Sequence, residues 1–262
     1  MSTHADDLGL AHLLADSADS IALDRFRSAD LHVESKPDHT PVTDADTTVE
    51  KAIRSTLARA RPRDGVFGEE FGDEPGAGSR RWVIDPIDGT KNFMRGLPVW
   101  ATLICLYEGK EPVVGLVSAP AIGRRWWAAS GVGAFAGRHR NRAEPIRVSG
   151  VAKVGDASIS YSSLPSWYEH GRGDEMVGLL KGAWRSRAYG DFYSYALLAE
   201  GQVDVAIEPE VKLWDLAALS VIVTEAGGRF TDLDGNPGPA GGSAVATNGH
   251  LHDAVLDALR PS

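Results

Sequence analysis

A short apolar run that leads into two carboxylates is the sequence feature that most restricts how this chain can fold. Residues 82–84 are Trp, Val and Ile, and such a run predicts a short buried strand. Asp85 and Asp88 follow around Pro86, and a helix start is available at 89–90. Because Pro86 restricts its own φ and holds Asp85 extended, we expect the strand to end at a stiff loop. Such a loop is suited to holding a divalent cation beside a phosphate group.

The composition permits one large domain or two closely packed ones. It argues against nucleic acid and a membrane as partners. The chain has 262 residues, 43% of them hydrophobic and 24% charged, which is ordinary for a globular protein with a sizeable core. A net charge of −9 lacks the basic excess of a nucleic-acid-binding protein. Acidic residues near the start argue against a signal peptide, and no apolar run is long enough to span a membrane. The single cysteine, Cys105, allows no disulfide within the chain, so we expect a cytoplasmic protein.

The hydrophobic pattern changes at a polar stretch, residues 137–145. Before it, two helical segments precede a series of β-rich runs, and Thr43 or Asp44 is the expected N-cap of the second helix. After it, strands alternate with helices to the end of the chain, which is typical of α/β proteins. We therefore expect an α/β protein whose N-terminal half is α+β, with subdomains at 1–142 and 143–262.

Three further carboxylates lie at predicted element ends. Glu69 and Glu70 close a short strand, and Asp215 precedes a helix. Carboxylates on separate rigid ends are able to hold two Mg²⁺ ions close together. Each group also has a structural interpretation, since Asp215 alone is a typical N-cap and the two glutamates alone are a typical solvated turn.

Taken together, these residues resemble the metal-binding signatures of the inositol monophosphatase family. The matching segments keep the family's order and spacing and extend over nearly the whole chain: 42–46, 68–70, 82–93, 213–218 and 225–228. The resemblance implies a layered αβαβα sandwich of the inositol monophosphatase/fructose-bisphosphatase type, usually a homodimer. It also implies Mg²⁺-dependent hydrolysis of a phosphate monoester by in-line attack of a metal-activated water.

The resemblance also implies which residues bind two to three Mg²⁺ ions. Glu69, Asp85 and the backbone carbonyl of Ile87 would bind the first ion. Asp85, Asp88 and Asp215 would bind the second, and Glu69 would share a weaker third. On this reading, subdomain 1–142 carries most of the metal ligands, and subdomain 143–262 carries Asp215.

Roles in catalysis and phosphate binding follow from the same resemblance. Asp46 matches the family's catalytic aspartate, and it would pair with the Thr90 hydroxyl to orient and deprotonate the attacking water, with Glu69 assisting. The amides of Gly89 and Thr90 would hold the phosphate, and Asp88 and Asp215 would also contact the substrate. This arrangement is physically sensible, because phosphoryl transfer depends mainly on positioning and charge neutralisation.

Substrate preference is expected to depend on the second half of the chain. Arg187, Asp191 and Glu208 match positions that contact the substrate in the family, and acidic groups beyond the phosphate suit a cationic amine or imidazole. The chain is most similar to actinobacterial members that act on histidinol phosphate, as judged from residues 98–101, 124–127, 189–192 and 246–249. That ester is the expected substrate, and an inositol or sugar phosphate is the alternative. A structural ion pair between Arg187 and Asp191 is the other interpretation of those two residues.

Other patterns in the chain allow rival interpretations. Asp44, Asp46 and Thr48 fit the nucleophile motif of haloacid dehalogenase-type phosphatases, but that motif should follow an apolar strand and here follows a proline-containing loop. Residues 232–236 resemble the start of a calcium loop, yet the twelfth position is Ser243 rather than Glu, so a β-turn is expected. A catalytically inactive binding protein on the same fold is a further alternative, although every expected ligand side chain is present.

Overall fold

Five layers of helices and sheets stack on one another in the computed structural model, which describes residues 4–37 and 40–261. The first layer is a pair of helices, and a small hairpin lies between them in the sequence. These elements are α1 (His4–Arg25), β1 (Val33–Ser35), β2 (Pro41–Thr43) and α2 (Asp44–Ala60). Thr43 is the N-cap of α2, as predicted.

An eight-stranded sheet forms the second layer. Its strands are β3 (Gly65–Gly68), β4 (Gly72–Glu74), β5 (Arg80–Asp88), β6 (Ala101–Glu108), β7 (Glu111–Ala119), β8 (Arg124–Ala129), β9 (Gly133–Gly137) and β10 (Glu144–Pro145). The strand order is β10-β9-β8-β7-β6-β5-β3-β4, and only the β3–β5 pair is parallel. A short helix, α3 (Thr90–Met94), follows β5 directly, so the end of this strand and the start of the helix face the same region.

The remaining three layers come from the second half of the chain. In chain order the elements are β11 (Ser158–Ser160), α4 (Leu164–Glu169), α5 (Gly173–Gly182), β12 (Arg185–Arg187), α6 (Asp191–Ala199), β13 (Val205–Glu208), α7 (Leu213–Glu225), β14 (Arg229–Thr231), β15 (Ala244–Thr247) and α8 (His252–Ala258). Helices α6 and α7 form the middle layer. A five-stranded sheet of order β12-β11-β13-β15-β14 covers them, and α4, α5 and α8 form the outer layer.

Three apolar clusters fill the spaces between these layers. The central cluster depends on α7, which is apolar on all sides because it packs against both sheets. A Cβ atom added at Gly115 of β7 would lie 2.3 Å from the carbonyl oxygen of Ala218, so the sheet and α7 approach closely at this glycine. The αβαβα sandwich expected from the sequence is therefore confirmed.

The strand that carries the aspartates is longer than predicted. We expected it to end at Asp85, but β5 continues to Asp88 with an irregular register against β6 between these two residues. Pro86 lacks an N–H group, and the Thr102 hydroxyl of β6 donates to the Pro86 carbonyl at 2.8 Å. The bulge thus lets the strand continue past the proline and turns both carboxylates toward the end of the sheet.

Other local expectations have mixed outcomes. Residues 232–236 form the predicted turn, in which Asp232 Oδ1 accepts the amides of Asp234 and Asn236. Helix α4 was not predicted, and part of the predicted loop at 36–41 lies outside the described residues. Strand β10 follows the proposed boundary at 142/143 but pairs with β9, and the division into subdomains stays a prediction. No helix in the described ranges is long and apolar enough to cross a membrane.

Candidate active site

Three aspartates meet where β5 ends and α7 begins. One carboxylate oxygen from each of Asp85, Asp88 and Asp215 lies within 4.8 Å of the others. Asp85 and Asp88 come from the bulged end of β5, and Asp215 is in the first turn of α7, where it accepts the Lys212 amide at 2.9 Å. The family resemblance implied that these three residues lie together, and the structure brings them together.

The aspartate cluster carries negative charge with little compensation. Asp85 is 1% exposed, and its Oδ1 has no hydrogen-bond partner in the described part of the chain. Burial raises the pKa of Asp85 well above its usual value, and the charges of Glu69 and Asp88 add to this effect. Burial also raises the pKa of Asp215 to about 6. A hard divalent cation fits this oxygen-only set, because it would satisfy the orphaned Asp85 oxygen and neutralise the cluster.

Glu69 lies in the turn after β3, outside the group of three aspartates. Its amide donates to the Ile84 carbonyl at 3.2 Å, which attaches the turn to β5. Lys36 Nζ lies 2.7 Å from carboxylate oxygens of both Glu69 and Glu70. Burial alone lowers the pKa of Lys36, but its bonds to the two glutamates outweigh burial and raise that pKa. The ammonium group therefore stays charged and neutralises part of the Glu69–Glu70 turn.

The Glu69–Glu70 turn is held from below by Glu50 of α2. This carboxylate is fully buried and accepts the amides of Glu70 at 2.8 Å and Phe71 at 3.2 Å, as well as Arg54 Nε at 2.8 Å. A Cβ atom at Gly68 would lie 2.0 Å from Glu50 Oε1, so only glycine permits this approach. Sequence reasoning missed Glu50, although its position four residues after Asp46 places both on one face of the helix.

Asp46 is buried at the start of α2 and connects that helix to the end of β5. Its Oδ2 accepts the amide of Thr43 at 2.9 Å and the Thr43 hydroxyl, which completes a capping box. Its Oδ1 lies 3.3 Å from the Thr90 hydroxyl, as predicted. The same hydroxyl donates to the Ile87 carbonyl at 3.0 Å. Burial raises the pKa of Asp46 to about 6, although the hydrogen bonds from Thr43 act to lower it. Its neighbour Asp44 pairs instead with Arg25 at 2.7 Å.

Gly89 occupies a position that only glycine can fill. Its φ is 84°, in the left-handed region, and it precedes the first residue of α3. A Cβ atom there would lie 3.0 Å from the Val99 carbonyl oxygen and 3.4 Å from Asp191 Oδ2. The glycine thus brings the start of α3 directly against Asp191 from the second half of the chain.

Two more carboxylates, Asp191 and Glu208, adjoin this glycine turn. The hydroxyl of Ser162 donates to Glu208 Oε1 at 2.5 Å and accepts the Asp191 amide at 3.0 Å. Burial raises the pKa of Glu208 to about 8, and the charge of Asp191 contributes in the same direction. Neither carboxylate forms an ion pair with a basic residue in the ranges described.

Arg187 does not pair with Asp191, so the ion-pair interpretation is wrong. Its side chain is exposed and donates to the neighbouring Ser186 carbonyl at 2.7 Å, whereas Asp191 Oδ2 accepts from Asn92 Nδ2 at 3.1 Å. Arg187 is thus the predicted substrate residue with the weakest structural connection to the cluster.

A buried tyrosine hydroxyl is another feature that sequence reasoning missed. Tyr195 of α6 is 2% exposed, and its hydroxyl has no hydrogen-bond partner among the described residues. The negative charges of Glu208, Asp215 and Asp88 act on it and, after burial, help raise its pKa. Helical spacing on α6 could only have marked Tyr195 as a core residue, because the carboxylates come from other elements.

Such a layered sandwich, with clustered carboxylates at the end of a bulged strand, defines a class of metal-dependent phosphatase. The sequence profile of the inositol monophosphatase family matches residues 8–262, and the chain belongs to this family. Members of the family depend on a metal ion, generally Mg²⁺.

Comparison with individual relatives narrows the class further. The chain is 59% identical to a histidinol-phosphatase of Streptomyces coelicolor over 99% of this chain and 98% of the relative. It is 58% identical to a histidinol-phosphatase of Mycobacterium tuberculosis over 97% and 98% of the two chains. Among solved structures, an inositol monophosphatase from Zymomonas mobilis superposes with a TM-score of 0.86 at 33% identity, over 99% of both chains.

Proposed function

We propose that this chain is a Mg²⁺-dependent phosphomonoesterase that hydrolyses L-histidinol phosphate to L-histidinol and phosphate. The observation that carries this proposal is the placement of two carboxylates, Asp191 and Glu208, close to the aspartate cluster with no ion pair to a basic residue among the residues described. A phosphate ester with a cationic amine would place its phosphate at the cluster and its positive charge against these two groups. The two histidinol-phosphatases at 58–59% identity support the same substrate.

The residues that would hold Mg²⁺ are those implied by the family resemblance. Glu69, Asp85 and the Ile87 carbonyl form one ligand set, and Asp85, Asp88 and Asp215 form the other, with Glu69 shared by a weaker third site. The orphaned Asp85 Oδ1 and the 4.8 Å grouping of the three aspartates support this assignment. When bound, Mg²⁺ lowers the pKa of water and neutralises charge on the phosphate.

Asp46 and Thr90 are proposed to handle the proton of the attacking water. The Thr90 hydroxyl has one proton and two acceptors, the Ile87 carbonyl and Asp46. If the Ile87 carbonyl is a metal ligand, the Thr90 hydroxyl would donate to Asp46, and its oxygen would be free to accept a hydrogen bond from water. Burial and the capping box keep Asp46 in one orientation for this task.

Binding of the ester would use both halves of the molecule. The amides of Gly89 and Thr90 would bind the phosphate, and Asp88 and Asp215 would also contact the substrate. Asp191 and Glu208 would face the amine or imidazole. A role for Arg187 rests on the family resemblance alone, since the hydrogen bond of its guanidinium is to the neighbouring Ser186 carbonyl.

The proposal is tested by comparing three esters with and without Mg²⁺. We expect kcat/KM for histidinol phosphate to exceed that for inositol 1-phosphate and p-nitrophenyl phosphate by at least about 100-fold, because only the first carries an amine. Asp88→Asn should be inactive on all three while keeping its fold. A preference for the inositol ester would replace the proposed substrate with the alternative one, and Mg²⁺-independent turnover would refute the mechanism.

We also propose that the protein is a homodimer and that it is located in the cytoplasm. The family resemblance supports a homodimer, which light scattering of the purified protein would test. A cytoplasmic location is supported by the single, buried Cys105. Imaging or fractionation of the protein in its host would test the cytoplasmic location.

A further inference from the structure

Asp191, the first residue of α6, has a backbone conformation that is unfavourable for an aspartate. Its φ of 48° lies in the left-handed region, which residues other than glycine adopt rarely. Its amide donates to Ser162 Oγ at 3.0 Å, and the next amide, that of Phe192, donates to Asp88 Oδ2 at 2.7 Å. Strain that is held by neighbouring groups on both sides is typical of a position whose side chain must point in one direction.

The direction of the Asp191 side chain is set by Asn92. Asn92 Nδ2 donates to Asp191 Oδ2 at 3.1 Å and to the Val99 carbonyl at 2.9 Å, so both protons of the amide group are used. Asn92 belongs to α3, the same five-residue helix that starts after Gly89. One side chain therefore connects the glycine turn to a carboxylate 99 residues further along the chain.

The hydrogen bond from Asn92 gives the Asp191 carboxylate a polar partner but does not neutralise its charge. Burial raises the pKa of Asp191, and only the positive charge of Lys91 opposes this effect. Asn92 donates a hydrogen bond but carries no charge. The second oxygen, Oδ1, accepts no hydrogen bond from the residues that the structure describes. An oriented, uncompensated carboxylate is suited to an incoming cation.

We propose that Asn92 is a positioning residue that fixes Asp191 relative to Gly89 and so selects phosphate esters by the distance between phosphate and cation. This inference rests on the proposed function, since it concerns how the same site recognises an amine. Asn92 touches neither the phosphate nor the amine; it acts through Asp191. Esters that lack a cation would not depend on the hydrogen bond between Asn92 and Asp191.

A double-mutant cycle on two substrates tests this role. We expect Asn92→Ala to raise the KM for histidinol phosphate by about tenfold with kcat within about twofold of the parent, and to change kcat/KM for p-nitrophenyl phosphate less than about twofold. In the Asp191→Ala background, Asn92→Ala should cause no further loss on histidinol phosphate. Asn92→Gln, which keeps the amide but moves it by one methylene, should lie between the parent and Asn92→Ala.

The outcomes separate this inference from the proposed function. Equal losses on both esters, or losses that add in the cycle, would overturn the positioning role while leaving the preference of the parent enzyme for histidinol phosphate intact. Absence of that preference in the parent would instead refute the proposed substrate. Thermal unfolding of each variant checks folding, and if Asn92→Ala does not fold, Asn92→Gln supplies the same comparison.

Discussion

At the scale of single residues, the site depends on buried carboxylates whose partners are backbone amides. Glu50 is the clearest case, because it accepts two amides of the Glu69–Glu70 turn and a guanidinium nitrogen while having no exposed surface. Asp88 accepts the Phe192 amide in the same way. Amide donors fix the direction of a carboxylate without neutralising its charge, which suits groups that must also meet a cation or hold its ligand.

We predict that Glu50→Gln destabilises the protein by about 2–3 kcal/mol, because one of the three donors around the carboxylate then faces an NH₂ group. The variant should also require more Mg²⁺ for half-maximal activity, since the turn that carries Glu69 loosens. Denaturant unfolding and a Mg²⁺ titration measure the two effects. The matched control is Glu74→Gln, which removes an exposed partner of the same Arg54 and should change stability by less than about 0.5 kcal/mol. Equal effects of the two variants would contradict the role given to Glu50.

At the scale of secondary-structure elements, helix α2 performs two tasks with one face. Its first turn holds Asp46 beside Thr90, and its second turn holds Glu50 under the Glu69–Glu70 turn. The register of this helix is set at Thr43, where the capping box forms. If α2 began at a different residue, the carboxylates of Asp46 and Glu50 would therefore both be displaced.

We predict that Thr43→Ala costs about 1 kcal/mol of unfolding free energy, because the helix loses its cap. It should also lower kcat more than it raises KM, since the Thr43 hydroxyl orients Asp46. Thr43→Ser keeps the hydroxyl and should retain most of both properties. Chemical unfolding and steady-state kinetics on the same preparations make the comparison. An active Thr43→Ala enzyme with parental kcat would show that Asp46 needs no orientation by its cap.

Close packing between layers gives a prediction for glycine substitutions. Gly115→Ala should destabilise the protein by about 2 kcal/mol or more, because its Cβ would lie 2.3 Å from a backbone oxygen of α7. Gly178→Ala should stabilise it by about 0.5–1 kcal/mol, because that glycine is inside α5 with nothing within 4 Å of an added Cβ. Thermal or denaturant unfolding of the pair measures the contrast. Similar stability of the two variants would mean that α7 can move away from the sheet without cost.

At the scale of the whole molecule, five layers bring acidic groups from distant segments into one buried region. Burial raises the pKa of Asp46 and Asp215 to about 6, of Glu70 to about 7 and of Glu208 to about 8. The folded protein therefore binds more protons than the unfolded chain over this range. The stability that these groups contribute is full at low pH and is lost as the pH rises through their folded pKa values.

We predict that, with excess chelator, the protein melts at a lower temperature at pH 8 than at pH 6.5. Burial lowers the pKa of His12 and His252 to about 4, so these two groups oppose the trend only near the ordinary histidine pKa of 6.5, at the lower edge of this window. Millimolar Mg²⁺ should raise the melting temperature more at pH 8, because protons and the ion compete for the same oxygens. Calorimetry under the four conditions tests this. An equal gain from Mg²⁺ at both pH values would count against a carboxylate metal site.

Local patterns predicted much of the fold, and the reason differs from element to element. The span of α2 and its cap at Thr43 follow from helical spacing and capping chemistry, which depend on neighbouring residues only. The hairpin of β6 and β7 follows from β-rich runs around a turn signal. The continuation of β5 past Pro86 was missed, because it depends on a bulge and on a hydroxyl from β6.

The sequence by itself predicted the reaction class through the family resemblance, and it predicted that Asp85 and Asp88 act together because they stand in one short motif with local spacing. Only the tertiary structure decided how Asp191 and Glu208 are arranged, since their partners Asn92 and Ser162 lie on other elements. It also revealed that Arg187 donates to the Ser186 carbonyl, whereas Asp191 accepts from Asn92. Contacts between distant segments depend on how whole layers pack, and no local pattern of residue types records that packing.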